Sequence, residues 1–147
     1  MSDGTRRRRW GRRYRGGAAD GSAPMDVHLA TRCLAATRIG LGLALFVAPR
    51  QVARGWIGRE ADGAGTSAAV RGLGARDVAL GVGMLAATGR DPDRRDLRRW
   101  IEAGIVADLA DGAATLLVGR PDRRRALVVA MAASGATFGG WLRRRLG

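Results

Sequence analysis

The arginines of this chain are segregated from its apolar residues, and that segregation limits the fold more than any other feature. The 147 residues carry 26 basic side chains, every one an arginine, against 13 acidic ones. Most of the arginines stand in the N-terminal segment, in connecting segments and at the C-terminus. Between them lie four apolar stretches, at about 29–47, 69–88, 100–118 and 126–142. Each approaches the ~20 residues with which a helix crosses a bilayer core. They are rich in Ala, Leu and Gly and far longer than a buried strand. The breaks are turn-forming: Ala48-Pro49, Arg90-Asp91-Pro92-Asp93 and Gly119-Arg120-Pro121-Asp122. A soluble helix needs a polar face along its length, and residues 126–142 have none. Trp56, Trp100 and Trp141 fall near the ends of apolar runs, where an interfacial belt would place them.

The expected fold is therefore all-α: a four-transmembrane-helix bundle spanning residues 25–147, preceded by a disordered basic tail at 1–24. Counting arginines orients it. One side collects sixteen, from the N-terminal segment through Arg32, the loop between the second and third stretches, and Arg143 to Arg145. The other side collects seven. The positive-inside rule then puts both termini in the cytoplasm of a multi-pass inner-membrane protein. Without the residues before Met25 the margin falls to nine against seven. Met25, just before the prospective N-cap Asp26, offers a second translation start.

The tail holds Arg6, Arg7, Arg8, Arg9, Arg12, Arg13 and Arg15, with Trp10 and Tyr14 among them. Beside a membrane such a segment lies on anionic lipid headgroups, each arginine contributing about 1 kcal/mol. Detached from one, the same residues suit nucleic acid, the aromatics stacking on bases; this is the lesser expectation. Arg12-Arg13 is too far from the first apolar run, which itself contains Arg38, to read as a twin-arginine export signal.

Charges inside the apolar stretches carry the functional question. In the second stretch, Val70, Leu73, Val78, Leu80, Val82 and Leu85 supply roughly −2 to −4 kcal/mol toward insertion, while Arg76 and Asp77 cost roughly +5 to +7. That helix needs partners. At about 1.5 Å rise per residue, Arg38 lies about 13 Å from the inner end of its helix and Asp108 about 12 Å from the inner end of its own. Asp111 lies at about 16 Å, near the level of Arg76 and Asp77. The depths pair Arg38 with Asp108, and Arg76 with Asp111 or Asp77. Gly104, Asp108, Asp111 and Thr115 share one helix face. Arg71 and Glu102 lie nearer the interfaces and can snorkel. Three aspartates against two arginines leave one carboxylate over, free to be protonated, exchange protons or hold a cation. The alternative is purely structural: the charges hold glycine-rich helices in register.

Other motifs say less. Gly40, Gly42, Gly72, Gly74, Gly81, Gly83 and the pair Gly135-x-x-x-Gly139 suit close helix approach, and the last also suits dimerisation. Gly81-x-Gly83-x-x-Ala86 lacks a preceding strand and is not a dinucleotide fingerprint. Cys33 is expected as a small apolar filler, and Ser134 and Thr137 as bonding their own helix backbone. The sole cysteine rules out an internal disulfide, and with only His28 beside it no ordinary zinc site can be assembled. No nucleophile–base pair is available, so neither enzyme activity nor a cofactor is expected.

Gly74-Ala75-Arg76-Asp77-x-x-x-Gly81, the Asp108-x-x-Asp111 pair and Arg38-Ile39-Gly40-x-Gly42 ending at Pro49 together form a pattern. It resembles small four-helix bacterial, actinobacterial-type integral membrane proteins of unknown function, distantly DoxX-like. The resemblance covers about residues 32–142 and not the tail. It implies a membrane four-helix fold and carries no catalytic assignment. The arginine-only, Ala/Gly-rich composition fits the coding bias of a GC-rich bacterial genome. The functional expectation is a small integral membrane protein handling protons, cations or a small lipophilic molecule through Arg38, Arg76, Asp77, Asp108 and Asp111. Two alternatives stand beside it: a structural or partner-binding membrane subunit, homo-oligomeric or bound to another membrane protein, and a soluble basic bundle that binds nucleic acid through its tail.

Overall fold

A computed structural model describes residues 26–89, 93–117 and 122–147. The basic tail and its arginines lie outside the described residues. Within them the chain is all-helical: α1 (Val27–Val47), α2 (Pro49–Ile57), a 3-10 turn (Gly58–Asp62), α3 (Ala64–Ala87), α4 (Arg94–Leu117) and α5 (Arg123–Arg145).

The local chemistry sets most of the boundaries. Asp26 caps α1 by accepting a hydrogen bond from the His28 backbone N–H at 2.9 Å. Pro49 disfavours helical backbone at Ala48, which ends α1, and its own fixed φ then starts α2. Gly58, at φ +65°, takes the left-handed turn that ends α2. Asp93 and Asp122 accept from Arg95 and Arg125 backbone N–H groups, both at 2.8 Å, at the starts of α4 and α5. Two expectations are corrected here. Arg94, Arg95, Arg98 and Arg99 are not loop residues but the first turns of α4, and Arg123 to Arg125 open α5. The segment after α1 is not a plain loop either: α2 is strongly amphipathic, with Val52, Ala53 and Trp56 packed inward and Arg50 and Arg54 exposed.

The four long helices pack as two antiparallel pairs, α1 with α3 and α4 with α5, and α3 meets α4. The α1–α5 side is the sparsest. Small residues let α1 and α3 touch backbone to backbone. A Cβ at Gly42 would stand 2.5 Å from the Gly74 carbonyl oxygen, and a Cβ at Gly74 would stand 2.5 Å from the Gly42 oxygen. Gly81 meets the Ala35 carbonyl in the same way, at 2.7 Å. Arginines close both ends of this pair. Arg32 Nη2 donates to the Thr88 carbonyl at 2.8 Å, and Arg71 Nε donates to the Phe46 carbonyl at 3.1 Å. Each side chain thus serves the C-terminus of the neighbouring helix.

Not every glycine has this role. Gly40 and Gly72 face open space. Gly135 and Gly139 pack against Asp108 and Ile105 of α4, so the motif expected to suit dimerisation is occupied within the chain. Cys33 is exposed rather than a filler.

Apolar burial is split between two ends. Ala30, Ala35, Met84, Leu97, Ile101 and Leu142 form one cluster, and Leu45, Ala53, Ala61 and Val70 form the other, beneath α2. Buried charge lies between them. Much of the larger apolar surface points outward instead: Leu43, Val82, Val106, Leu109 and Leu127 are each about half exposed or more. By length and composition α1 and α5 can cross a membrane. The other two long helices fall short because α3 holds Arg71, Arg76 and Asp77, and α4 holds Glu102, Asp108 and Asp111 within their apolar spans.

The α1–α3 seam gives a direct test. Gly74→Val forces a branched side chain into the Gly42 backbone and is expected to cost about 2 kcal/mol or more. Gly72→Ala, in open space, is expected to be neutral or to stabilise by up to about 1 kcal/mol. Unfolding followed by circular dichroism measures both.

Candidate functional site

Arg38 projects from the middle of α1 and is 7% exposed. Its Nη1 donates to Asp77 Oδ1 on α3 at 3.0 Å, and its Nη2 donates to Asp108 Oδ2 on α4 at 2.5 Å. A longer contact of 3.4 Å reaches the Gly104 carbonyl. One guanidinium therefore joins three helices. A Lys ammonium has no planar fork with which to make these divergent bonds.

Arg76, the residue before Asp77, turns toward α4. Its two terminal nitrogens meet both oxygens of Asp111, at 2.8 and 2.6 Å, in a bidentate pair. Nη2 also reaches Asp77 Oδ1 at 3.4 Å. This pair is more open than the first, with both side chains about one-third exposed. Thr115 Oγ1 donates to the Asp111 carbonyl one turn back, at 2.7 Å. Gly135 of α5 makes room for Asp108, since a Cβ there would stand 2.5 Å from its Oδ2.

The structure thus brings all five candidates from the apolar stretches, Arg38, Arg76, Asp77, Asp108 and Asp111, into one network. It contains the Arg38–Asp108 and Arg76–Asp111 pairs that depth matching selects. It also contains a pair that depth matching does not, Arg38–Asp77. Depth places residues along the axis but not around it, and only the α1–α3 crossing decides that Asp77 faces Arg38. Nor is one aspartate left over. Asp77 bridges both arginines, and the excess negative charge is shared over the cluster. Nearer the helix ends, Glu102 pairs with Arg98 at 3.1 Å and Arg143 at 2.5 Å. Ser134 bonds its own helix at Ala130.

Arg38, Asp77, Asp108 and Asp111 line one side of a half-open cavity of about 390 Å³ between the helices. Its walls are apolar, formed by Leu34, Leu41 and Leu45 of α1, Leu73 of α3, and Val128 and Met131 of α5. Trp56 of α2 also lines it. The sequence marks the charged residues but not this chamber. Trp56 falls where an interfacial belt is expected, yet it is half-buried, packs against the Leu45 cluster and lines the cavity. Its only signal is the amphipathic spacing of Val52, Ala53 and Trp56. The other two tryptophans also pack: Trp100 covers Gly83, and Trp141 stacks on Phe138 beneath the Arg145 guanidinium.

No protein-family model, curated protein or solved structure matches the chain.

The two arginines should differ in their effect on stability. Arg38→Met strands two buried carboxylates and is expected to cost about 3–5 kcal/mol. Arg76→Met removes the partner of Asp111 alone, at a pair one-third exposed, and is expected to cost less than Arg38→Met. Denaturation of the two variants side by side measures the difference.

Proposed function

We propose that this chain is a small four-helix integral membrane protein that handles protons, cations or a small lipophilic molecule at an intramembrane charged cluster. The observation that carries the reading is the placement of four network residues on the wall of an otherwise apolar cavity. A ligand pocket of this kind combines apolar walls with a few convergent polar groups, and about 390 Å³ lies in the usual size range.

The membrane part rests on polarity. Buried charge occupies the middle of the bundle while large apolar side chains face outward along α4 and α5. That distribution suits hydrocarbon and not water. The long helices have almost no amphipathic asymmetry, unlike α2. Of the two helices apolar enough to span, α5 is little buried and so is not a soluble core helix. The charges that keep α3 and α4 below that standard are neutralised mainly across the bundle, which lowers the cost of bringing them into the bilayer. Both termini would face the cytoplasm, and α2 would lie at the outer interface with its arginines in the headgroups. The kinship with small four-helix, distantly DoxX-like membrane proteins belongs to this same reading.

The bidentate Arg76–Asp111 pair favours a second reading, in which the network only fastens helices or docks a partner subunit. Asp108→Asn separates the two. The handling reading expects a folded variant that loses a pH- or ion-dependent activity; the structural reading expects loss of the fold.

Alkaline carbonate washing of membranes tests location. The full chain and residues 25–147 are both expected to stay in the pellet until detergent is added; clean release of either chain would overturn the reading. In a Cys33→Ser background, a cysteine at Gly63 should react with an impermeant reagent from outside the cell, and one at Ser2 only after lysis.

A further inference from the structure

The carboxylates of the cavity are not exhausted by the arginines. Asp77 and Asp108 are 6% and 9% exposed, and both line the cavity. Asp77 engages both arginines through Oδ1 alone, and Asp108 engages Arg38 through Oδ2 alone. The second oxygen of each makes no hydrogen bond among the described residues, and neither is among the sealed unpaired atoms. Two buried carboxylates therefore keep a reachable acceptor. The arginines are committed to these carboxylates. Every terminal nitrogen of Arg38 and Arg76 is already bonded to an aspartate, and the Nε atoms of both are sealed. Three carboxylates face two guanidiniums, so with all three ionised the cluster carries one negative charge in excess.

We propose that the cavity binds a protonated lipophilic amine, its N–H groups on the free oxygens of Asp77 and Asp108 and its hydrocarbon body against Leu41, Leu73 and Met131. This deepens the membrane-protein reading and rests on it. An ammonium supplies donors to the two unpartnered carboxylate oxygens together with a positive charge, and charge-assisted bonds of this kind are the stronger class. An anionic ligand meets an excess of carboxylates over guanidiniums. A neutral alcohol supplies a donor but leaves the excess charge uncompensated. The cavity is half open, and the α1–α5 side is where neighbouring long helices make least contact. On the proposed topology that side faces the bilayer, where a lipophilic amine would already be concentrated.

Three probes of one shape test the charge preference: adamantan-1-amine, 1-adamantanol and adamantane-1-carboxylate. They are titrated by calorimetry into the full chain in neutral-detergent micelles near neutral pH. Saturable amine binding is expected, roughly tenfold or more tighter than the alcohol, with no binding of the carboxylate. Asp108→Asn should weaken the amine to the level of the alcohol. Leu41→Trp, which fills the cavity and leaves the ion pairs intact, should abolish amine binding. Equal affinity for amine and alcohol, preference for the carboxylate, or amine binding that survives Leu41→Trp would overturn the proposal. A chain that resists carbonate and shows no amine preference sinks this inference and leaves the membrane reading standing. A chain that carbonate releases sinks the membrane reading, and the amine proposal falls with it.

Discussion

Arg38 is clamped between a carboxylate from α3 and one from α4, and the arrangement of the bundle follows from that clamp. The α1–α3 pair is held by backbone contact through Gly42, Gly74 and Gly81, and the α4–α5 pair by Gly135 and Gly139 against α4. Neither device fixes one pair relative to the other. The apolar cluster around Met84, Ile101 and Leu142, Trp100 on Gly83, and the charges do. Arg38 and Arg76 both reach from the first pair to α4, about one helical turn apart at Asp108 and Asp111. Two such contacts one turn apart on α4 tie its register to that of the α1–α3 pair.

The polarity of the molecule is consistent with this role. Its apolar cores are two small clusters built largely from alanine and medium-sized side chains, at opposite ends of the bundle. The central layer, which would be leucine in a water-soluble bundle, is ionic. Outward-facing leucines and valines surround it. In water such a surface is costly, because each exposed apolar Å² forgoes about 25 cal/mol of transfer free energy. In a bilayer that cost disappears, and the ionic layer becomes the element that holds the helices together. The proposed membrane location and the central network thus support each other.

The cavity is a consequence of the same geometry. Arg38 spans the diagonal between α1 and α4, two helices whose backbones do not pack, and the long side chain bridges a gap that it does not fill. Leucines from α1 and α3 wall the gap, and Trp56 also lines it. The carboxylates that neutralise Arg38 necessarily face it. A structural clamp and a binding site are therefore compatible uses of one set of residues.

Much of this architecture was legible in the residues alone. Four apolar runs separated by Arg, Asp, Gly and Pro determine four long helices, because apolar length and turn chemistry act locally. Depth along a helix is arithmetic, so Arg38 with Asp108 and Arg76 with Asp111 could be matched before any contact was known. Rotation about the helix axis is not local. Whether Asp77 faces Arg38, whether Trp56 turns into the bundle, and which glycines meet a neighbouring backbone depend on how helices cross. That crossing is chosen by the sum of many weak contacts across the chain. The α2 helix escaped because nine residues are too few for periodicity to separate from a polar loop. The sequence by itself determined the four long helices, their charges and the positions of those charges along each axis. Only the tertiary structure decided that these charges close on one another around a chamber, because a chamber is the space that packing leaves unfilled.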